Sequence, residues 1–228
     1  MGQHLLPGNP PIPVALRRSA RARRMSLRVS SLDGRVTLTV PRGVRDSEAL
    51  AFAREKEGWL RAQLARQPGQ VTVGHGVEIP VEGRPLLVAP GHGRSVREED
   101  GRLLVPGPPE ECGARLRGWL RALARTRLAA ASDRYARALG RPHAGLTLRD
   151  TRSRWGSCSA RGTLSYSWRL VMAPPEVLAY VAAHEVAHLE EMNHSRAFWA
   201  VVERLHGPYQ DPRRWLRHDG PALHRYRF

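Results

Sequence analysis

The stretch PPEVLAYVAAHEVAHLEEMNH, residues 174–194, decides how the chain is read. Proline is tolerated in the first turn of a helix and Glu176 suits its positive end, so a helix is predicted from Pro175 to about Glu191. His184 and His188 lie four residues apart on it, which puts both imidazoles on one face, one turn apart. Two such nitrogens can bind one zinc ion at about 2.0–2.1 Å each. Glu185 sits beside the first histidine, angled off that face. It can reach a water on the metal without joining the metal's inner shell. In this HExxH arrangement zinc polarises the water and the glutamate takes its proton. The plainer reading is a charged surface helix end. Against it stand apolar Val181, Ala182, Val186, Ala187 and Leu189 around the motif, because a buried histidine pair without a metal needs other partners.

A catalytic zinc site takes three protein ligands and leaves one position to water. Thermolysin-type enzymes draw a glutamate from a later helix; metzincins use a histidine six residues after the second. His194 has the six-residue spacing. Glu191 stands where metzincins carry a glycine, and Asn193 offers the turn instead, since asparagine tolerates left-handed geometry. His194 is therefore the preferred third ligand, in the first turn of a helix predicted over 194–206 with Asn193 as its cap. Glu190, Glu191 and Glu203 are its rivals, the first two reading more simply as a solvated helix end.

Composition sets the frame. A chain of 228 residues can bury a sizeable core, and 41% hydrophobic content is ordinary for a folded protein. No apolar run approaches the roughly 20 residues of a membrane helix, so no membrane partner is expected. There is no continuous apolar leader, and Cys112 and Cys158 are too few and too far apart for a disulfide framework. A reducing, cytoplasmic setting is expected. The net charge of +16 is nearly all arginine, Lys56 being the only lysine. Arg17, Arg18, Arg21, Arg23, Arg24 and Arg28 form the densest cluster. Such a run can hold phosphates, which makes nucleic acid a candidate partner, but solvated charge explains it as well.

Ahead of the motif the chain alternates short β patterns with two helical ones. Residues 1–13, rich in proline, read as a flexible or extended arm. MSLRVSS (25–31) and RVTLTVP (35–41) flank Asp33-Gly34 and are predicted to pair as an antiparallel hairpin. A helix is predicted over 46–66, capped by Asp46 or Ser47, with Leu50, Ala53, Leu60 and Leu64 at helical spacing. QVTVG, VEIPV, RPLLVAP and GRLLVPG read as short strands. PGPPE (106–110) is the expected boundary, followed by a long helix over about 110–139 that Gly140 and Pro142 stop. GLTLRD (145–150) and TLSYSWRLV (163–171) read as strands. No internal repeat is visible.

RSRWGSC, WRLVMAPPEV, HEVAHLEEMNH and the FW that follows, all within residues 152–199, together resemble the YgjP-like zinc metallopeptidases, related to the WLM and SprT groups. The resemblance implies an α+β fold, with a β-rich N-terminal part before a zincin-like helical metallopeptidase domain holding a small sheet. The expected organisation is an arm at 1–13, a β-rich domain with one helix at 14–108, and the catalytic domain at 109–228. It also implies one zinc ion per chain held by His184, His188 and His194, with Glu185 as base. Where relatives often carry asparagine before the helix, this chain has Ser167.

The expected function is zinc-dependent hydrolysis of a peptide or protein. The alternatives are a nucleic-acid-associated zinc protein, including a protease directed to DNA-bound substrates, and a non-catalytic zinc protein. Arg154, Tyr166, His206 and Tyr209 are candidates for contact with the substrate or the oxyanion, and the sequence does not choose among them. Trp155 is expected to pack under the helix of the motif. Cys158 reads as a free cysteine rather than a fourth ligand, since structural zinc sites draw on several cysteines.

Overall fold

The computed structural model describes residues 2–30, 34–65 and 69–228. The chain forms two compact units, Met1–Gly69 and Gln70–Phe228.

In the first unit β1 (Gly2–Leu6), β2 (Ile12–Ser19), β3 (Ser26–Val29) and β4 (Val36–Pro41) make a sheet ordered β1-β2-β4-β3. The outer pairs are antiparallel and the inner pair, β2 with β4, is parallel. Strand alternation turns Ile12, Val14 and Leu16 to the same side as Val36, Leu38 and Val40, and all six are buried. Residues 2–6, expected as an arm, are extended and pair with 12–16. Pro13 is tolerated in β2 because pairing with β4 begins only at Val14. The hairpin pairing of β3 with β4 is as predicted, while Asp33 lies outside the described residues. The single predicted helix is two, α1 (Asp46–Glu55) and α2 (Glu57–Ala65), broken at Lys56. Neither Asp46 nor Ser47 caps it. Arg45 holds that position without a side-chain bond, and Asp46 pairs with Arg18. Ala49, Ala53 and Leu60 complete the core.

The second unit holds β5 (Val71–Thr72), β6 (Glu78–Val81), β7 (Arg84–Pro90), β8 (Arg97–Glu99), β9 (Arg102–Val105), α3 (Cys112–Leu139), β10 (Gly145–Arg149), β11 (Gly156–Cys158), β12 (Thr163–Ser167), α4 (Pro175–Ala187), α5 (Arg196–His206), α6 (Gln210–His218) and β13 (Tyr226–Arg227). Its sheet β6-β7-β9-β8 repeats the first unit's topology, with antiparallel outer pairs around a parallel inner one. The sequence shows no trace of that repetition. The proline-rich stretch at 106–110 is not a boundary. Ile79, Leu86, Leu103 and Val105 share one core with Leu116, Leu120 and Leu128 of α3 and with the buried residues of α4, so the chain cannot part there without exposing both. Gly140 ends α3 at φ +72°, a left-handed cap that favours glycine.

A smaller sheet, β10-β12-β11, positions the site: β10 is parallel to β12, and β11 is its antiparallel edge. The run 163–171 is a strand only as far as Ser167. Trp168–Met172 is a 3-10 helix with all five residues buried, Arg169 among them, and a segment covered on every side has no period to distinguish the two. The fold is α+β, as expected.

Candidate metal centre

α4 is buried nearly all round: Val177, Leu178, Tyr180, Val181, Ala182, Ala183, Val186 and Ala187 are all covered. Against that apolar surface the ionisable residues stand out. Tyr180, His184 and His188 follow at four-residue intervals, so they form one stripe along the helix. The helix stops at Ala187, short of the predicted Glu191, and His188 is its last, capping residue. The chain then turns through 188–190 and returns to α5. Asn193 does not cap α5. Its side chain accepts from the Ser195 amide (3.0 Å), and Ser195 is the cap, accepting from the Phe198 amide (3.3 Å). His194 thus stands just ahead of the helix, not in its first turn.

The turn brings His194 back over α4. One ligand atom each from His184, His188 and His194 lie within 4.8 Å of one another. His184 Nε2 and His194 Nε2 are 3.1 Å apart. Two nitrogens at about 2.0–2.1 Å from one tetrahedral zinc stand roughly 3.3 Å apart, so this pair fits such an ion. His188 Nδ1–H donates to the Glu191 carbonyl at 2.9 Å, which fixes the tautomer that leaves Nε2 with a free lone pair. Phe198 lies under the whole group, with centroid distances of 4.9, 4.5 and 4.7 Å to His184, His188 and His194. Burial, then the neighbouring histidines, pulls His184 down to about 3; burial lowers His188 also. Neutral imidazoles are the form a metal needs. Among the described residues no carboxylate or thiolate joins this group. Glu190 pairs with Arg204 (3.3 Å), Glu191 contributes only its carbonyl, and Glu203 is exposed on α5. Cys158 lies in the same cleft with its thiol pushed up by burial and by Glu185.

Glu185 points to the other side of the stripe, against β11, and is 5% exposed. Gly156 makes that approach possible. A Cβ there would stand 2.5 Å from Glu185 Oε1 and 2.6 Å from its Cγ. Burial raises the carboxyl to about 8, with Arg154 acting in the opposite direction. The cleft over these groups has a volume of about 430 Å³ and is walled by Arg154, Trp155, Tyr180 and Leu216, with exposed Met192 at its margin.

The four candidate contact residues separate cleanly. Arg154 is at the cleft and exposed. Tyr166 is 1% exposed, with its hydroxyl on Ser132 Oγ at 3.0 Å, and burial raises its pKa further out of reach. It belongs to the core. His206 Nε2 is 3.3 Å from the Glu176 carbonyl, with its ring edge-on to Tyr180. Tyr209 stacks between Tyr180 and Trp199 (6.1 and 5.1 Å), behind the cleft wall. Trp155 walls the cleft beside α4 and packs on His224 at 5.2 Å. Ser167 is fully buried, and its hydroxyl has no partner among the described residues. The sequence does not single out Tyr180 or the Gly156 contact with Glu185, while Phe198 is the first residue of the FW pair after the motif. Tyr180 lies four residues before His184, which is the one signal it left.

Three converging histidines beside a buried carboxyl in an open cleft could hold a metal ion, as a metal-dependent hydrolase requires. The model of the YgjP-like metallopeptidase domain matches residues 23–219, and the chain belongs to that family. Among solved structures, the metallopeptidase zymogen of Pyrococcus abyssi abylysin is similar at 20% identity, over 40% of this chain and 95% of its own, with a TM-score of 0.36. No curated protein matches the chain. Among the described residues no helix is long and apolar enough to cross a membrane.

Proposed function

We propose that this metallopeptidase-family protein is a zinc-dependent peptidase in which His184, His188 and His194 hold one zinc ion and Glu185 is the general base. The observation that carries it is the convergence of three imidazoles within 4.8 Å of one another, next to a carboxyl held against Gly156. An all-nitrogen set of three suits zinc and leaves a position open. Zinc in such a site supplies Lewis-acid polarisation and water that ionises near neutral pH. The charge of a bound zinc ion would draw the Glu185 carboxyl down from its raised value, and the carboxylate takes the proton of the attacking water and returns it to the leaving amine nitrogen. Trp155, Tyr180 and Leu216 wall the cleft in which the substrate would lie, and Arg154 lines it as well.

Glu185→Gln tests the assignment. The variant keeps stoichiometric zinc by atomic absorption and loses hydrolysis of unfolded casein by about 10²–10⁴-fold, the share that a positioned acid–base group contributes. Turnover at the parent rate in the zinc-loaded variant would remove Glu185 from the mechanism.

A further inference from the structure

The small sheet has a second face. Alternation turns Leu148, Leu164 and Tyr166 into the core and Thr147, Ser157 and Ser165 outward, and the register sets those three hydroxyls in one row across the strands. With Thr163, Arg149 and Arg154 they line a concavity of about 650 Å³. Among the described residues no acidic side chain lines it. Asp150, next in sequence to Arg149, is taken by Arg169 at 2.7 Å. Among the described residues neither Arg149 nor Arg154 has a carboxylate in ion-pair reach.

This face is continuous with the cleft. Arg154, Gly156, Ser157 and Cys158 line both. β11 is also an edge. Ser167 N–H bonds the Trp155 carbonyl (2.8 Å) and Ser159 N–H bonds the Thr163 carbonyl (3.0 Å). By the alternation of an antiparallel ladder, the backbone groups of Gly156 and Cys158 therefore point away from the sheet.

We propose that the hydroxyl- and arginine-lined face binds an acidic segment of the polypeptide substrate, with aspartate or glutamate side chains on Arg149 and Arg154, while the same polypeptide occupies the cleft. This rests on the peptidase reading above. Guanidinium forks match carboxylates in a two-bond geometry, and the hydroxyls of Ser157 and Ser165 stand beside them, Thr147 Oγ1 being turned to the Leu164 carbonyl (3.5 Å). No carboxylate lines the concavity beside Arg149, so an acidic partner gains that contact without displacing an internal one, while the charge of Arg154 is shared with Glu185 across the cleft.

The test is binding, which separates it from hydrolysis. Two fluorescein-labelled peptides of equal length, one glutamate-rich and one with glutamine at the same positions, are titrated onto the full-length Glu185→Gln protein at physiological salt. Fluorescence anisotropy should show about tenfold tighter binding of the glutamate peptide, falling to about twofold in Arg149→Gln, a charge-assisted contact being of that order. Arg149 is exposed, so the variant should keep the parent's thermal midpoint. Arg21, Arg23 and Arg24 in the first unit are exposed too, and their joint replacement by glutamine should leave the preference intact. A preference unchanged in Arg149→Gln, or lost in the triple variant instead, overturns the assignment. So does single-stranded DNA that displaces the peptide through Arg149, which would give the face to nucleic acid. An inert wild type with this preference intact would instead count against the peptidase reading alone.

Discussion

Two sheets of this molecule share a topology and differ in what surrounds them. Both join antiparallel outer pairs through a parallel inner pair, at residues 2–41 and 78–105. The first packs on α1 and α2 over an apolar core, and among the described residues its unit buries no polar or charged side chain. The second merges into a core whose unit also buries Ser132, Ser167, Arg169, Glu185 and His188. Topology alone therefore does not mark the site. Burying an ionisable group costs stability unless it is paired or used, so the unit that tolerates the cost is the one with chemistry to perform.

The comparison breaks most sharply at His194. If the histidine group is what the second unit's burial serves, His194→Ala should lower zinc affinity by more than about 100-fold, beyond the 10–100-fold that loss of an outer-shell partner costs. Competition against a chelator measures it. Affinity at the parent value would detach the cluster from metal binding and leave the buried groups without a common purpose.

Gly156→Ala should come next. The added methyl meets Glu185 at 2.5–2.8 Å, and neither the edge strand nor a helix buried nearly all round yields easily. We expect stability to fall by about 1–3 kcal/mol, as for overpacked cores. Hydrolysis should fall by about 100-fold, the cost of displacing a catalytic group by an ångström. Zinc content should hold. An unchanged rate would mean that the carboxylate's position against β11 is incidental.

Most of the candidate metal centre was legible because its parts sit on one helix and the turn after it. Spacing places His184, Glu185 and His188, and the same spacing reaches His194. What sequence could not show came from elsewhere in the chain. Gly156 approaches Glu185 across 29 residues, Arg169 bonds Asp150 and the Leu223 carbonyl, and Trp155 pairs with His224. These are tertiary meetings with no local period. Individual strands and helices were legible from the patterns of apolar residues, and the fold class from the family resemblance. The boundary at 106–110 misled because proline and glycine mark a turn without saying whether the core continues beyond it. β8 was invisible for a related reason: Arg97, Glu98 and Glu99 are all exposed, so the strand carries no apolar alternation.

His224 tests the second unit's burial away from the metal. Burial, then Arg169, lowers its imidazole to about 4, with Arg152 acting in the same direction and Asp150 opposing. The unfolded chain binds a proton near pH 6.5 and the folded one only near 4. Stability is therefore unaffected above that upper value and is lost progressively as pH falls from 6.5 toward 4. Allowing for solvent screening of a partly exposed ring, the loss is about 1 kcal/mol. Urea midpoints of metal-free wild type and His224→Gln between pH 7 and 5 should diverge, the variant falling less steeply. Parallel slopes would show that the ring protonates freely in the folded state.

The smallest effect belongs to the first unit, and it decides whether the contrast is real. Asp46 is half exposed and pairs with Arg18, whose guanidinium also donates to the Arg42 and Val44 carbonyls at 3.1 and 2.6 Å. Those carbonyl bonds hold Arg18 in place whether or not the carboxylate is charged. Asp46 also opens α1, where a negative charge favours the helix dipole by about 0.3–1 kcal/mol. Exposed ion pairs contribute about 0–1 kcal/mol, so Asp46→Asn should shift unfolding stability by less than about 1 kcal/mol, less still at high salt. A loss above about 2 kcal/mol would mean that the first unit depends on its charges as much as the second does, and the difference between the two sheets would then lie in solvent exposure rather than in chemistry.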